Sequence, residues 1–259
     1  MLGAVFTDRP IVQPLTQLVW LGRMHERKPQ YQGVARLFAA LSMGIAELEA
    51  FYTGVDFNVP SEARFYPHIT SFVDPSTKAE VKFRYEGHVD PSCRGTKAVF
   101  LAETEKGRKI IVKFTEVYND EAHTLLATQG LAPQLLSCDR STLTGFVMIV
   151  MDYIDGKQLR HWYPQGRKIS TQALEQVKSA MNLLHANEFV FGDLRWPNIL
   201  VTSIKGEDRI QLVDFDWCGK VGVTEYPADI NLVDIEWPKD VVPGGLMRFE
   251  HDEEMLSRL

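Results

Sequence analysis

Two apolar runs that stop abruptly at carboxylates constrain this chain more than any other feature. The first, Phe189-Val190-Phe191, leads into Gly192 and Asp193, and Asn198 follows five residues later at the head of another strand-like run, Asn198–Ile204. The second, Arg209–Phe215, carries Asp214 near its end, with Asp216 just beyond it. Short apolar runs bounded by turn residues read as buried strands. Gly192 and Pro197 make the backbone between the first two runs tight and stiff, so the Asp193 carboxylate and the Asn198 amide can converge on one point. That arrangement suits a base beside a metal site; a turn that uses Asp and Asn for its own hydrogen bonds has the same pattern. Asp214 and Asp216 fall on one face of an extended chain. Paired carboxylate oxygens suit Mg2+, which binds through one or two carboxylates plus substrate phosphates; an Asp at a strand end also simply begins a turn.

A third run, Lys109–Thr115, alternates so that Ile111 and Lys113 share one face and Ile110, Val112 and Phe114 the other. This fits a cleft with Ile111 against a flat ring and the ammonium on phosphates, or a solvated strand end. Glu121, eight residues beyond Lys113 and early in the next helix, is placed to hold the lysine or to favour the helix N-terminus through its dipole.

Around these runs the expected elements are strands at 78–86, 97–103, 109–115 and 145–153, with Gly107 supplying positive φ in the turn 105–108. A helix is expected from Asn119 to Gln129, ending at Gly130, and another after Ser170 or Thr171, with Leu174, Val177, Met181 and Leu184 on one face. Strands with one helix, then mainly helix with a hairpin, make an α+β pattern in two lobes. Residues 1–29 read as an irregular arm, and residues 60–75 as a Pro-marked connection. Between them Val34, Leu37, Phe38, Leu41, Ile45, Leu48 and Tyr52 write one face of a helix expected to pack on its own domain. The expected division is arm and helix at 1–75, a first lobe at 76–155 and a second at 156–259.

Taken together and in order, Lys113, Glu121, Asp193, Asn198 and Asp214 resemble the signature of the protein-kinase-like superfamily, from about Lys78 to Trp217. The run IIVK is similar to the strand of the phosphate-binding lysine, with Glu121 as its helix partner. VMIVMDYIDG resembles the hinge between lobes, which places the backbone around Met151 to Tyr153 beside an adenine. FGDLRWPN resembles the catalytic loop and LVDFD the metal-binding segment. The resemblance implies a two-lobed fold, with ATP and Mg2+ as cofactors. Asp193 then orients and deprotonates an acceptor hydroxyl, on a protein or a small molecule, and Arg195 neutralises charge on the moving phosphoryl group. Lys113, fixed by Glu121, holds the phosphates, Ile111, Met151 and Tyr153 border the base, and Asn198 and Asp214 hold the metal. A catalytically inactive scaffold is the alternative.

The departures are as specific as the matches. Between the first two strands, residues 87–95 contain two glycines but no glycine-rich phosphate loop. Ile111 is bulkier than the alanine expected above adenine. Phe191 and Gly192 replace the His-Arg expected before the catalytic aspartate, so no receiver is evident for a phosphate on Thr224 or Tyr226. Asp216 replaces the glycine after the metal-binding aspartate, as in aminoglycoside-kinase and RIO-like relatives. Only 43 residues follow it, so the second lobe is expected to be shortened. The arrangement resembles the short kinase-like proteins of mushroom-forming fungi. A short helix is expected from Leu246 to Leu259, with His251 and Asp252 on a solvated face, and His185 complements a helix dipole. Trp162, Trp196, Trp217 and Trp237 read as core or lobe contacts.

The formal charge of −6 argues against a dedicated nucleic-acid partner. Three scattered cysteines form neither a zinc pattern nor a disulfide framework, and the longest apolar stretch, around Phe146 to Met151, is too short to span a membrane. The expectation is an intracellular, cytoplasmic protein without a membrane partner. Nothing in the sequence indicates an oligomeric state.

Overall fold

The computed structural model describes residues 31–54, 66–90, 97–143, 145–164 and 168–259, and residues 3–5, 12–14 and 28–30 by their backbone alone. The chain forms two compact units, one comprising Met1–Ile69 with Cys93–Lys97, the other Thr70–Ser92 and Ala98–Leu259.

In the first unit, β1 (Gly3–Val5) and β2 (Val12–Pro14) pair antiparallel, so the stretch expected to be irregular contains a short hairpin. Helix α1 (Lys28–Thr53) runs for 26 residues, straight through Gly44. Of the face expected to pack on its own domain, Val34, Leu37 and Leu41 are half-buried, whereas Phe38, Ile45, Leu48 and Phe51 are between 48% and 64% exposed.

The second unit has the expected α+β architecture, an antiparallel sheet lobe followed by a mainly helical one. The sheet holds β3 (Ser71–Val73), β4 (Glu80–His88), β5 (Ala98–Thr104), β6 (Lys109–Thr115), β7 (Leu135–Asp139) and β8 (Val147–Asp152) in the order β3-β4-β5-β6-β8-β7. Gly107, at φ +78°, closes the β5–β6 turn as expected. Strands β3 and β7 lie outside the sequence expectations, the first in what reads as a connection. Between β6 and β7 runs α2 (Asp120–Ala127), capped by the Asn119 side chain, which accepts from the Ala122 N–H.

The helical lobe begins with β9 (Lys157–Gln158), α3 (Leu159–Trp162) and α4 (Thr171–Ala186). Ser170 caps α4 by accepting from the Ala173 N–H, and the helix buries Ala173, Val177, Ala180, Met181 and Leu184 at helical spacing. Then follow β10 (Phe189–Val190), a 3-10 turn (Trp196–Asn198), β11 (Ile199–Ile204), β12 (Glu207–Leu212), β13 (Gly219–Lys220) and α5 (Phe249–Ser257).

One apolar core joins Leu126 and Ile149 to Leu184, Phe191, Leu194, Phe215 and Met247. Phe191 and Leu194 are fully buried or nearly so. Burying a side chain of this kind stabilises by about 1.5–3 kcal/mol, so the two anchor the loop that carries Asp193.

Candidate active site

The loop from Phe191 to Asn198 is held from below. Gly192 adopts φ +77°, a conformation that disfavours side chains, and a Cβ there would meet Met247 Sδ at 3.0 Å. The N–H groups of Phe191 and Gly192 donate to the two carboxylate oxygens of Asp252 on α5, at 2.8 and 2.9 Å. His185 Nε2 donates to the same carboxylate at 3.0 Å, and its ring lies 4.4 Å from that of Phe249. Asp252 is fully buried and His251 beside it is 4% exposed. The expected solvated face is therefore corrected. This turn of α5 faces the core, and Asp252 is the clamp that shapes the loop. Sequence reasoning missed it, although Met255 stands at helical spacing from both residues and marks their face as inward.

Above the clamp, Asp193 is buried and Arg195 grips both of its oxygens. Nε donates to Oδ1 and a terminal nitrogen to Oδ2, the latter at 2.7 Å. Asn198 Nδ2 donates to Asp193 Oδ2 at 2.7 Å and to its backbone oxygen at 2.9 Å. Burial pushes the Asp193 carboxyl above its ordinary value, against the opposing pull of Arg195. The Arg195 guanidinium lies 5.4 Å from the centre of the Trp237 ring, and that indole packs 5.5 Å from Trp217.

The second carboxylate group follows β12. The Val213 N–H donates to the Asn198 backbone oxygen at 3.0 Å, which ties this segment to the first loop. Asp214 adopts φ +72°, and Lys113 Nζ donates to its Oδ1. The same ammonium donates to Asp216 Oδ1 at 2.6 Å, while Thr115 donates to Asp216 Oδ2 at 3.0 Å. Lys113 is 8% exposed and sits 5.7 Å from the centre of the Tyr118 ring. Burial alone pulls the ammonium down, and the two carboxylates more than reverse that, so its net shift is upward. Burial also pushes Asp216 up to about 6, against Lys113.

Glu121 is not the partner of this lysine. It is exposed, because α2 turns Ala122, His123 and Leu126 inward and leaves position 121 facing outward. The lysine bonds instead to Asp214 and Asp216. His123, which sequence reasoning passed over, is fully buried and stacks on Phe215 at 4.7 Å with an interplanar angle of 6°. Its nitrogens bond to the Tyr118 hydroxyl at 2.7 Å and the Pro133 backbone oxygen at 2.8 Å. Burial lowers its pKa to about 4.

Ile111 and Met151 are direct cross-strand partners on β6 and β8, with Met151 buried and Ile111 partly so. The Asp152 and Tyr153 N–H groups donate to the backbone oxygens of Gln134 and Lys109, at 3.0 and 3.3 Å, so both amides of that hinge-like stretch are committed. The segment standing in place of a glycine-rich loop lies partly outside the described residues, at 91–96.

No family model matches the chain. It is similar in structure to the kinase PK-1 of Cydia pomonella granulovirus, with a TM-score of 0.53 and 17% sequence identity over 67% of this chain and 65% of that one. The chain has the protein-kinase-like fold. In sequence it is 27% identical over 75 residues to a probable serine/threonine-protein kinase 2 of Plasmodium falciparum, a stretch covering 27% of this chain and 15% of that protein. The kinase-like lobes of this chain thus bring Lys113, Asp214 and Asp216 together on one side of the Asn198 backbone link, and Asp193, Arg195 and Asn198 on the other. Among the described residues, no cluster of three or more His, Cys, Asp or Glu is arranged for a metal ion, and no helix is long and apolar enough to cross a membrane.

Proposed function

We propose that the protein is an ATP- and Mg2+-dependent phosphotransferase that moves the γ-phosphoryl group to a hydroxyl of a protein or a small molecule. The observation that carries this reading is the convergence of Lys113 on Asp214, 101 residues away in sequence, beside the loop that holds Asp193 and Asn198. Lys113 binds phosphate oxygens, and Ile111 with Met151 offers an apolar wall to the base. Arg195 holds the Asp193 carboxylate in a fixed orientation. Burial makes that carboxylate a stronger base than a free one, suited to taking the proton of an acceptor hydroxyl.

The donor set fits Mg2+. Asn198 makes both of its side-chain bonds through Nδ2, leaving its amide oxygen for a hard cation, and Asp214 adds a carboxylate; one amide and one carboxylate suit an ion that shares its shell with phosphates and water. When bound, such a cation neutralises charge on the transferring phosphoryl group.

One observation favours a second reading, a non-catalytic nucleotide-binding module. Both Asp193 oxygens are occupied by Arg195 and Asn198, and a base must release one of them. Calorimetry of ATP binding with and without Mg2+, followed by phosphotransfer assays on Asp193→Asn, separates the two. The enzyme reading expects binding strengthened by Mg2+ in both proteins and transfer only in the unaltered one. Folded protein that ignores millimolar ATP sinks both readings.

A further inference from the structure

The apolar residues of α1 recur with a regular rhythm. Val34, Phe38, Leu41, Ile45, Leu48 and Tyr52 are separated by gaps of four, three, four, three and four residues. That is the repeat of about 3.5 residues that marks a coiled-coil seam, widened along one flank by Leu37 and Phe51. Phe38, Ile45, Leu48 and Phe51 are about half exposed or more. Each such side chain has roughly 100 Å2 of surface left to bury. With the exposed parts of the half-buried Val34, Leu37 and Leu41 added, two such helices packed together remove about 1,000 Å2 from water, the extent a specific interface needs.

The seam is complementary to itself when reversed. In an antiparallel pair the two kinds of seam position face each other across the interface. Phe38 then packs against Leu48 of a second copy, Leu41 against Ile45 and, along the flank, Leu37 against Phe51. Among these contacts no two aromatic rings share a layer, and no charge falls in the seam. A parallel pair stacks Phe38 on Phe38 and sets Gly44 beside Glu49. Charge favours the same direction. Among the described residues of α1, Arg36 lies in the first half, and Glu47 and Glu49 in the second. Antiparallel helices set each Arg36 level with the turn of Glu47 and Glu49 opposite and oppose the two helix dipoles, whereas parallel helices set like with like.

Gly44 stands at the centre of this arrangement. A Cβ there would meet no atom within 4 Å, so the single chain has room for a side chain, although glycine weakens a helix interior. In the antiparallel pair Gly44 faces its own counterpart near the two-fold axis, where a missing side chain lets the helices approach closely.

We propose that α1 is a self-association surface, through which two copies of this chain pair antiparallel along the seam from Val34 to Tyr52 with Gly44 at the crossing. This pairing does not depend on the phosphotransferase reading.

The test is sedimentation equilibrium of the full chain across the micromolar range, comparing the unaltered protein with Gly44→Glu and Gly44→Lys. The unaltered chain should form a reversible dimer. Each variant brings two like charges together at the two-fold axis and should raise the dimer dissociation constant about tenfold or more. Circular dichroism should show helix content retained in both, since Glu and Lys are better helix formers than Gly. An equimolar mixture of the two variants should restore the dimer through a Glu–Lys pair, which separates lost pairing from misfolding. A chain that stays monomeric throughout would overturn the proposal, as would a dimer unaffected by both variants. A Gly44→Lys dimer tighter than the unaltered one would overturn it too, because only a parallel pair sets that lysine beside Glu49.

Discussion

Replacing Asp252 with alanine tests the structural logic of the loop most directly. The carboxylate accepts from the Phe191 and Gly192 N–H groups and from His185 Nε2, and it is fully buried. Each hydrogen bond to a charged acceptor contributes about 1.5–3 kcal/mol, and a buried donor left unpaired costs about 1–3 kcal/mol. Relaxation and entering water recover part of the sum, so Asp252→Ala should destabilise by about 3–5 kcal/mol. For a cooperative unit of this size that lowers the melting temperature by roughly 6–20 °C. Asp252→Asn keeps one acceptor oxygen but turns an NH2 group toward another donor, and should cost about 2 kcal/mol. Glu253→Gln, on the exposed side of the same helix, should stay within about 0.5 kcal/mol of the unaltered protein. Chemical unfolding gives the global values. Hydrogen exchange at the Phe191 and Gly192 amides gives the local one, with a rise of roughly 100-fold expected in Asp252→Ala. A loss below about 1 kcal/mol with unchanged exchange at both amides would refute the clamp.

Three further outcomes follow from the same geometry. Gly192→Ala should destabilise by about 1–2 kcal/mol in thermal melts, because φ +77° is strained for alanine and its Cβ would press on Met247 Sδ at 3.0 Å. His123, with a folded pKa near 4 against an ordinary 6.5, contributes stability that is fully present above about pH 6.5 and is lost as pH falls toward 4. Between pH 7.5 and 5 this amounts to about 2 kcal/mol, read as the difference in unfolding free energy between the unaltered protein and His123→Gln at each pH. Lys113→Met should cost about 3 kcal/mol by leaving Asp214 and Asp216 facing one another, and adding Asp216→Asn should recover part of that loss in a double-mutant cycle.

Much of the fold was legible because local patterns and tertiary demands agree. Strand β6 occupies the residues its alternation marks, and of the two caps expected for α4, Ser170 or Thr171, it is Ser170 that accepts from the first turn. The misreadings share a physical cause. The sequence pattern pairs Lys113 with Glu121, early in the next helix, whereas the carboxylates that hold it are 101 and 103 residues away. The helix itself carried the warning, since Ala122 and Leu126 form its inward stripe and Glu121 lies beside that stripe. His251 and Asp252 looked solvated because charge ordinarily seeks water. Here buried backbone donors offset the desolvation of Asp252, and no local pattern shows them. β7 was missed because Leu135-Leu136-Ser137-Cys138-Asp139 is short and lacks sustained alternation, and its place in the sheet depends on β8.

The reach of the Asp252 clamp also bears on how the molecule is made. The carboxylate closes on a loop 60 and 61 residues earlier in the chain. At synthesis rates of about 5–20 residues per second, that loop waits roughly 3–12 s on the ribosome before α5 emerges to lock it. During that interval the apolar anchors Phe191 and Leu194 lack part of their final packing, because Met247 and Met255 follow even later than the loop itself. The loop that holds Asp193 therefore becomes rigid only after α5 has been made. A pause or an error in translating the segment after Lys220 would leave a sheet lobe already formed above an unfinished loop, a species with exposed apolar surface and a natural substrate for chaperones.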